Sequence, residues 1–598
     1  MNFIKNNEFI FVLALAVVLS FVIFGNGISG DFVFDDVTVV QNRPDVKDAG
    51  NFFNLFISPY HQNNPKSGLY RPFTMATYSL NHNIFGSSPA GFHVVNIFIH
   101  AFNSFLVFWL IKFLFKNKLL SYTTFLLFLT HPIHTEAVTS IVGRAELLAF
   151  FWFLTTIYLF SKNKRILAAT AFLFGLMSKE IVLMVLPIIF YIDAVFLKTS
   201  WRKALFNSLF FVYPLAVYSF LRYLALGQYF AGDVKTTLAE NVLKFVSFPE
   251  RIFTAFKVLY LYVEKLVGPV HLSADYSYNA IPVVKNIISS PESVFGLVIF
   301  LVLVMSLASS RIRRTGFGFA AAAFFFPYLM VSNLIIPVGT IMGERLTYFP
   351  SLWFAVVSAL AIDKLLNKGK LFKIAGLFLL VFLIVFYGTR TFIRNKDWRD
   401  SRTLFFATVK ESPNSIKTRT ALAAEYILAD EWGKAKEELK IAGNILEDNS
   451  HLQNLLGIVA DHDGNLESAE VKFRRSIELN PDAINTHINL AELYLKQGKL
   501  EEARDSFKKV IDFYPVTEYV VRYAYTQIAL NDPDGAIGTV NKYFSNNLDG
   551  PDVRALVGTA YFVKHDYGQA LIHLKRAQEL GNKAVEVGQM IRIINESR

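Results

Sequence analysis

The sequence predicts an all-α chain in two parts: a set of helices that crosses a membrane many times, then a solenoid of soluble helix pairs. Three observations carry this. Of 598 residues, 53% are hydrophobic and only 18% charged, with 59 phenylalanines, an apolar excess that no soluble core requires. The excess is confined to the stretch before about Tyr387; from Arg390 onward charge is dense and apolar residues recur at the spacing of soluble helices. Finally, Pro481 and Pro515 stand 34 residues apart, each closing one copy of a repeated pattern.

In the first part, a spanning helix needs roughly 20 mainly apolar residues, which gives about eleven candidate spans, 180–197 and 204–226 among them. The run Ile252–Val267 is interrupted by Lys257, Glu264 and Lys265 and reads as an interfacial helix or one further span. Basic residues cluster in alternate loops: Lys5; Lys112, Lys116 and Lys118; Lys162, Lys164 and Arg165; Lys198, Arg202 and Lys203; Arg311, Arg313 and Arg314; Lys364, Lys368, Lys370 and Lys373. All fall on one side if the N-terminus is cytoplasmic. An odd number of spans then carries the loop 29–92 and the whole second part to the far side. The first segment has a weak basic start and no clear small-residue cleavage site, so it is expected to stay as an anchor. The net charge of +11 is thereby assigned to topology, and no nucleic-acid partner is expected. Cysteine is absent, which excludes disulfides and thiolate metal sites.

In the second part, Leu456-Gly457, Ala469 and Phe473 precede Pro481, and Leu490-Ala491, Tyr494, Gly498, Ala503 and Phe507 precede Pro515. This is the tetratricopeptide (TPR) signature of paired helices, with small residues at the crossing and an aromatic locking each pair. Weaker copies around 422–442, 524–543 and 557–577 bring the array to about five repeats, with a polar closing helix near 584–596. Such a solenoid offers a concave groove for a peptide. It serves either as a general scaffold or as a holder of protein substrate.

Ionisable groups at membrane depth default to functional candidates. The far-side connections carry Asp35 and Asp36; Arg71; His131, His134, Glu136, Arg144 and Glu146; Lys179 and Glu180; Asp275; Glu344 and Arg345. His131, His134 and Glu136 in "HPIHTEAV" match none of the usual zinc spacings, and Pro132 opposes a regular helix there. A metal set, a polar helix cap and hydrogen bonding to a sugar stay open for them. Arg144 and Glu146 either pair with each other or serve the site. Lys179 either snorkels to the headgroups or meets a lipid phosphate, work for which the guanidinium forks of Arg71 and Arg345 are also suited. The acidic pair is a helix cap, a solvated loop or a catalytic element.

The stretches "FVFDDVTVVQN", "YRPFT", "HPIHTEAVTSIVGRAELLA", "LMSKE", "SNLIIPVGTIMGERLTYFPS" and "RNKDWRDSRTLF", followed by TPRs, resemble in order the transmembrane-and-TPR O-mannosyltransferase (TMTC) family, one of the integral-membrane GT-C glycosyltransferases. The resemblance covers most of the chain. It implies a polytopic GT-C domain over 1–390 containing the loop 29–92, a linker over 391–415 and an extracytoplasmic TPR domain over 416–598. It implies an inverting transferase that moves a hexose, mannose in relatives, from a polyprenyl-phosphate donor to Ser or Thr of a protein held by the TPR groove. Asp35 and Asp36 match the superfamily's catalytic acid in the first far-side loop, with Asp35 favoured as the base. Arg71, His131, His134, Glu136, Arg144, Lys179, Glu344 and Arg345 are the candidates for donor phosphate and sugar. No metal and no cofactor beyond the lipid-linked donor are implied. The lack of cysteine, the short TPR array and the absence of an endoplasmic-reticulum address make the chain read as a bacterial relative in the inner membrane. Two other readings compete: a membrane-anchored TPR scaffold for envelope assembly, and a GT-C transferase whose acceptor is a glycan or lipid.

Overall fold

The computed structural model describes residues 8–61, 65–232, 236–544 and 549–597; Lys5 lies outside them. The described residues form helices of α, 3-10 and π type and no strand, as the apolar periodicity predicts. The chain divides into one unit up to Glu425 and a second from Tyr426 to Arg598.

Among the described residues of the first unit, six helical stretches are long and apolar enough to cross a membrane: Glu8–Gly27, Pro89–Phe115, Ile141–Ser161, Trp201–Tyr229, Pro291–Ala308 and Lys370–Trp398. Three shorter apolar helices accompany them, Lys118–Thr130, Arg165–Ser178 and Gly316–Val331. The chain is thus a multi-pass membrane protein. The expected span 180–197 is instead a 3-10 turn Glu180–Met184, a short helix Val185–Tyr191 and a π turn Ile192–Phe196. The stretch 204–226 is divided between helices Trp201–Leu209 and Val212–Leu226. Residues 391–415 carry a 3-10 turn, Asn395–Trp398, and a helix, Ser401–Glu411.

Burial follows the sequence. The first helix, Glu8–Phe24, buries Val12, Ala16, Ser20, Ile23 and Phe24, a one-sided stripe at helical spacing that packs on Pro89–Phe115. Phe9, Ile10, Val18 and Val22 face outward, as suits a lipid-facing surface. The helices start at recognisable caps. Asn117 accepts from Leu120 N at 3.1 Å to open Lys118–Thr130, and Ser247 and Glu250 form a capping box on Phe248–Val267.

One end of the bundle is basic and structural: Glu8 pairs with Lys112 at 2.6 Å and Lys118 at 3.2 Å, joining three helix ends. The connections at the opposite end carry the acids, histidines and arginines singled out above.

The second unit runs from the end of helix Ile416–Leu428 through Trp432–Ile445 to four complete helix pairs, Ser450–His462 with Leu466–Leu479, Ile484–Lys496 with Leu500–Phe513, Thr517–Ala529 with Pro533–Phe544, and Pro551–Val563 with Tyr567–Glu579. Helix Val585–Glu596 closes the array. The small residue of the motif has a steric reason: a Cβ on Gly457 would sit 2.5 Å from the Phe473 ring, and one on Gly558 would lie 2.6 Å from Leu574.

Candidate active site

The acidic pair follows a kink. Phe34 adopts a left-handed backbone (φ +54°), rare for a bulky residue, and the two aspartates then open the short π turn Val37–Gln41. Their side chains part company there. Asp36 is fully buried. Its Oδ1 accepts from Val142 N at 2.8 Å and Ser140 Oγ at 3.3 Å, and its Oδ2 from Val33 N at 3.2 Å and Ile141 N at 3.3 Å. It therefore ties the first loop to the 140–142 turn, which Gly143 allows to pass closely over Ala137, since a Cβ there would meet the Ala137 carbonyl at 2.3 Å. Burial pushes the Asp36 carboxyl up to about 7, against the pull of its backbone donors, with Asp35 adding to the rise.

Asp35 remains 39% exposed, and its Oδ2 lies 3.4 Å from Nη1 of Arg345. Burial alone raises its pKa, but the charges of Arg345 and Lys417 outweigh it and hold the carboxyl below its ordinary value. Arg345 is 32% exposed and also meets Glu136, whose Oε1 stands 3.5 Å from its Nε and whose Oε2 accepts from its backbone N at 2.8 Å. Asp35, Arg345 and Glu136 thus form one continuous acid–guanidinium–acid chain.

Two further ion pairs adjoin it. Pro72 at the first position of helix Pro72–Phe85 places Arg71 at the cap, and its Nη2 lies 3.2 Å from Glu180 Oε2, with the guanidinium 5.0 Å from the Tyr60 ring centre. Lys179 pairs with Glu146. Arg71, Glu146 and Tyr60 all contribute to the electrostatics of Arg345 or of its neighbours Asp35 and Lys179, so these pairs share one site. Segment 59–61 is held beside it by Arg43, which donates to the carbonyls of Pro59, at 3.0 Å, and Tyr60 and forks onto Asp45. His61 is kept neutral there: burial first, then Arg71, lowers its pKa to about 4.

The structure does not bring the other candidates to this opening. Arg144 is sealed, its guanidinium donating to Asn96 Oδ1 at 2.8 Å, Asn81 Oδ1 at 2.8 Å, Phe92 O at 3.0 Å and Thr77 O at 3.2 Å. It does not pair with Glu146. His131 Nε2 lies 2.8 Å from Leu266 O, and its Nδ1 accepts from Ile133 N at 3.2 Å, so it caps the turn at Pro132. His134 Nε2 lies 2.8 Å from Ser351 Oγ, within a buried aromatic cluster. Glu344 is buried, accepting from Tyr276 OH at 2.7 Å and Ser273 N at 2.5 Å and facing Arg394 at 4.0 Å. Sequence reasoning missed Tyr60, His61 and Lys417 as neighbours of Asp35. Lys417 sits where a first repeat helix was expected, and nothing in its sequence context marks it.

These features define a class: a polytopic helical membrane protein with a charged site at one end of its bundle, continued by TPR helices. A tetratricopeptide-repeat family profile matches residues 462–521. The human protein named Protein O-mannosyl-transferase TMTC3 is 26% identical over 585 residues, covering 92% of this chain and 60% of the relative. Protein O-mannosyl-transferase F38B6.6 of Caenorhabditis elegans is 28% identical over 417 residues, covering 68% of this chain and 58% of the relative. The chain therefore spans about three-fifths of the length of these curated relatives. Among solved structures, YrrB, a TPR protein with an unusual peptide-binding site, aligns with 32% of this chain and 98% of its own at 13% identity and a TM-score of 0.29. The resemblance read from the motifs holds: homologues over most of the chain are TMTC proteins.

Proposed function

We propose that this chain is a glycosyltransferase that moves a hexose from a polyprenyl-phosphate donor to a Ser or Thr hydroxyl of a protein, with inversion at the anomeric carbon. The observation that carries the reading is the pairing of a half-open Asp35 with Arg345 amid further cations, in a chain whose homologues are named protein O-mannosyl-transferases. A hydroxyl is a poor nucleophile until a positioned carboxylate takes its proton. Asp35, held ionised by its neighbours, supplies that carboxylate. As the acceptor oxygen bonds to the anomeric carbon, the bond from that carbon to the phosphate oxygen breaks. Its electron pair leaves with the lipid phosphate, whose growing charge calls for fixed cations. Asp36 acts through position alone, fixing the loop that carries Asp35. Arg71, Lys179 and Arg345 are the cations of the donor site, and the TPR array receives the protein acceptor.

Basic residues at the opposite bundle end support a cytoplasmic N-terminus and an extracytoplasmic site, in a bacterial inner membrane. The reaction is assigned no metal. Transfer of radiolabelled hexose from polyprenyl-phosphate hexose into membrane proteins tests the reading. Wild type is expected to label protein and the Asp35→Asn variant to lose the label. Full labelling by Asp35→Asn removes Asp35 as the base. Label recovered in glycan or lipid changes the acceptor, and no label with several hexoses favours a scaffold.

A further inference from the structure

Lys417 stands in the first turn of helix Ile416–Leu428, whose start is pinned to the first unit. Asp275 Oδ2 accepts from Ser415 Oγ at 2.7 Å and from Thr418 Oγ1 at 3.4 Å. Ile416 N donates to Tyr278 O at 2.7 Å, and Asn279 N to Asn414 O at 2.9 Å. The strip that carries Asp275 is in turn anchored by Glu344, through Ser273 N and Tyr276 OH, and Glu344 is the chain neighbour of Arg345. A closed circuit of bonds therefore fixes the Lys417 backbone relative to the site.

The side chain points back to the acidic pair. Its Nζ lies 4.7 Å from the centre of the Phe34 ring, the residue before Asp35, and Phe34 is braced edge-on by Phe405 at 5.7 Å. Asp35 feels the Lys417 charge second only to that of Arg345 among charged groups.

The cations of this site are not equally available. Arg71 is engaged by Glu180, Lys179 by Glu146, and Arg345 by both Asp35 and Glu136. Lys417 is exposed, and among the described residues no carboxylate oxygen lies within 4.0 Å of it; the aromatic face of Phe34 is its contact. An ammonium parked on a ring keeps its three donors for an incoming anion. We propose that Lys417 is a fourth cation of the donor site, which grips the phosphate of the lipid-linked donor beside Arg71, Lys179 and Arg345, a contact that rests on the transferase reading above. Lys417 holds the phosphate oxygens while the anomeric carbon–oxygen bond breaks and Asp35 takes the acceptor proton, and it then holds the polyprenyl phosphate product.

The test uses the full chain in neutral detergent. Donor KM and kcat are measured with polyprenyl-phosphate hexose, and binding of polyprenyl monophosphate and of the uncharged polyprenol is measured separately, for wild type, Lys417→Ala, Lys417→Arg and Asp35→Asn. Loss of a charge-assisted contact is expected to raise donor KM and weaken polyprenyl monophosphate binding by about 10- to 100-fold in Lys417→Ala, with polyprenol binding unchanged and Lys417→Arg largely restored. Asp35→Asn is expected to lose kcat while still binding the monophosphate. Unchanged monophosphate binding by a folded Lys417→Ala, or an equal loss for polyprenol, overturns the proposal. So does a loss that appears only in anionic-lipid vesicles, which assigns Lys417 to bulk headgroups. If wild type transfers no hexose, the transferase reading falls, and the binding comparison still decides whether Lys417 grips phosphate.

Discussion

Arg345 lies 3.4 Å from the carboxylate of Asp35 and at the same time 3.5 Å from that of Glu136. One guanidinium thus sets the charge of an open acid while a buried acid fixes the guanidinium. Because burial raises the Asp35 pKa and Arg345 is the largest opposing charge, the Arg345→Gln variant should show a higher Asp35 pKa. The acidic limb of its kcat/KM against pH profile is expected to shift toward higher pH, and an unshifted limb would argue that Asp35 is not the titrating base.

The two aspartates should fail in different ways. Asp35→Asn is expected to reduce transfer by about 100-fold or more, the scale of general-base catalysis, with melting temperature near that of wild type. Asp36→Asn puts an amide that can itself donate among four donors, so its melting temperature should fall and its yield drop. Equal melting temperatures for the two variants would contradict the assigned roles.

Asp36 also predicts a pH dependence of stability. Its folded pKa of about 7 lies above the ordinary 3.8. A raised carboxyl favours the protonated fold, so its stabilising contribution is complete below the unfolded value and is lost as pH rises through the folded one. The melting temperature of wild type should therefore carry a falling component between about pH 4 and about pH 7, and Asp36→Asn should flatten it. Parallel melting curves for the two proteins across that window would show that Asp36 does not titrate there.

Arg144 is predicted to be structural. Its guanidinium serves four acceptors, and no carboxylate is among them. Arg144→Leu leaves Asn81, Asn96 and two carbonyls without their donor, at about 1–3 kcal/mol for each group left unsatisfied. Yield and melting temperature should collapse, and Arg144→Lys should rescue little because an ammonium cannot reproduce the fork. A stable Arg144→Leu with weakened donor binding would return Arg144 to the donor site.

In the TPR array, Gly457→Val drives a branched side chain into the Phe473 ring. Overpacking of this kind costs about 1–3 kcal/mol. The expected readout is a lower unfolding transition of the second unit, visible by limited proteolysis; unchanged protease resistance would show that the helix pair can open to admit it.

Much of this was legible from residue order. The apolar excess and the basic loops foretold a membrane bundle with two unlike ends, and the Leu456-Gly457 to Pro481 spacing foretold helix pairs. Local pattern failed where three-dimensional proximity decides. Arg144 and Glu146, two residues apart on a helix, face different directions, so Glu146 met Lys179 instead. His131 and Glu344 carry the residue types of a binding site, yet they meet their own backbone and Tyr276, which no spacing rule reveals. The 180–197 run is apolar enough for a span, but Lys179 is extended and the chain restarts as a tight 3-10 turn at Glu180. Lys417 reached Asp35 from 382 positions away along the chain.

The kink at Phe34 has one more meaning. Exchanging Asp35 with Asp36 leaves the amino-acid sequence unaltered, so nothing in side-chain identity distinguishes the acid that meets solvent from the acid that is sealed. That distinction is written wholly in the backbone, in one left-handed residue and the turn behind it. A single-residue insertion between Phe34 and Asp35 would shift both acids one place along that turn without removing either.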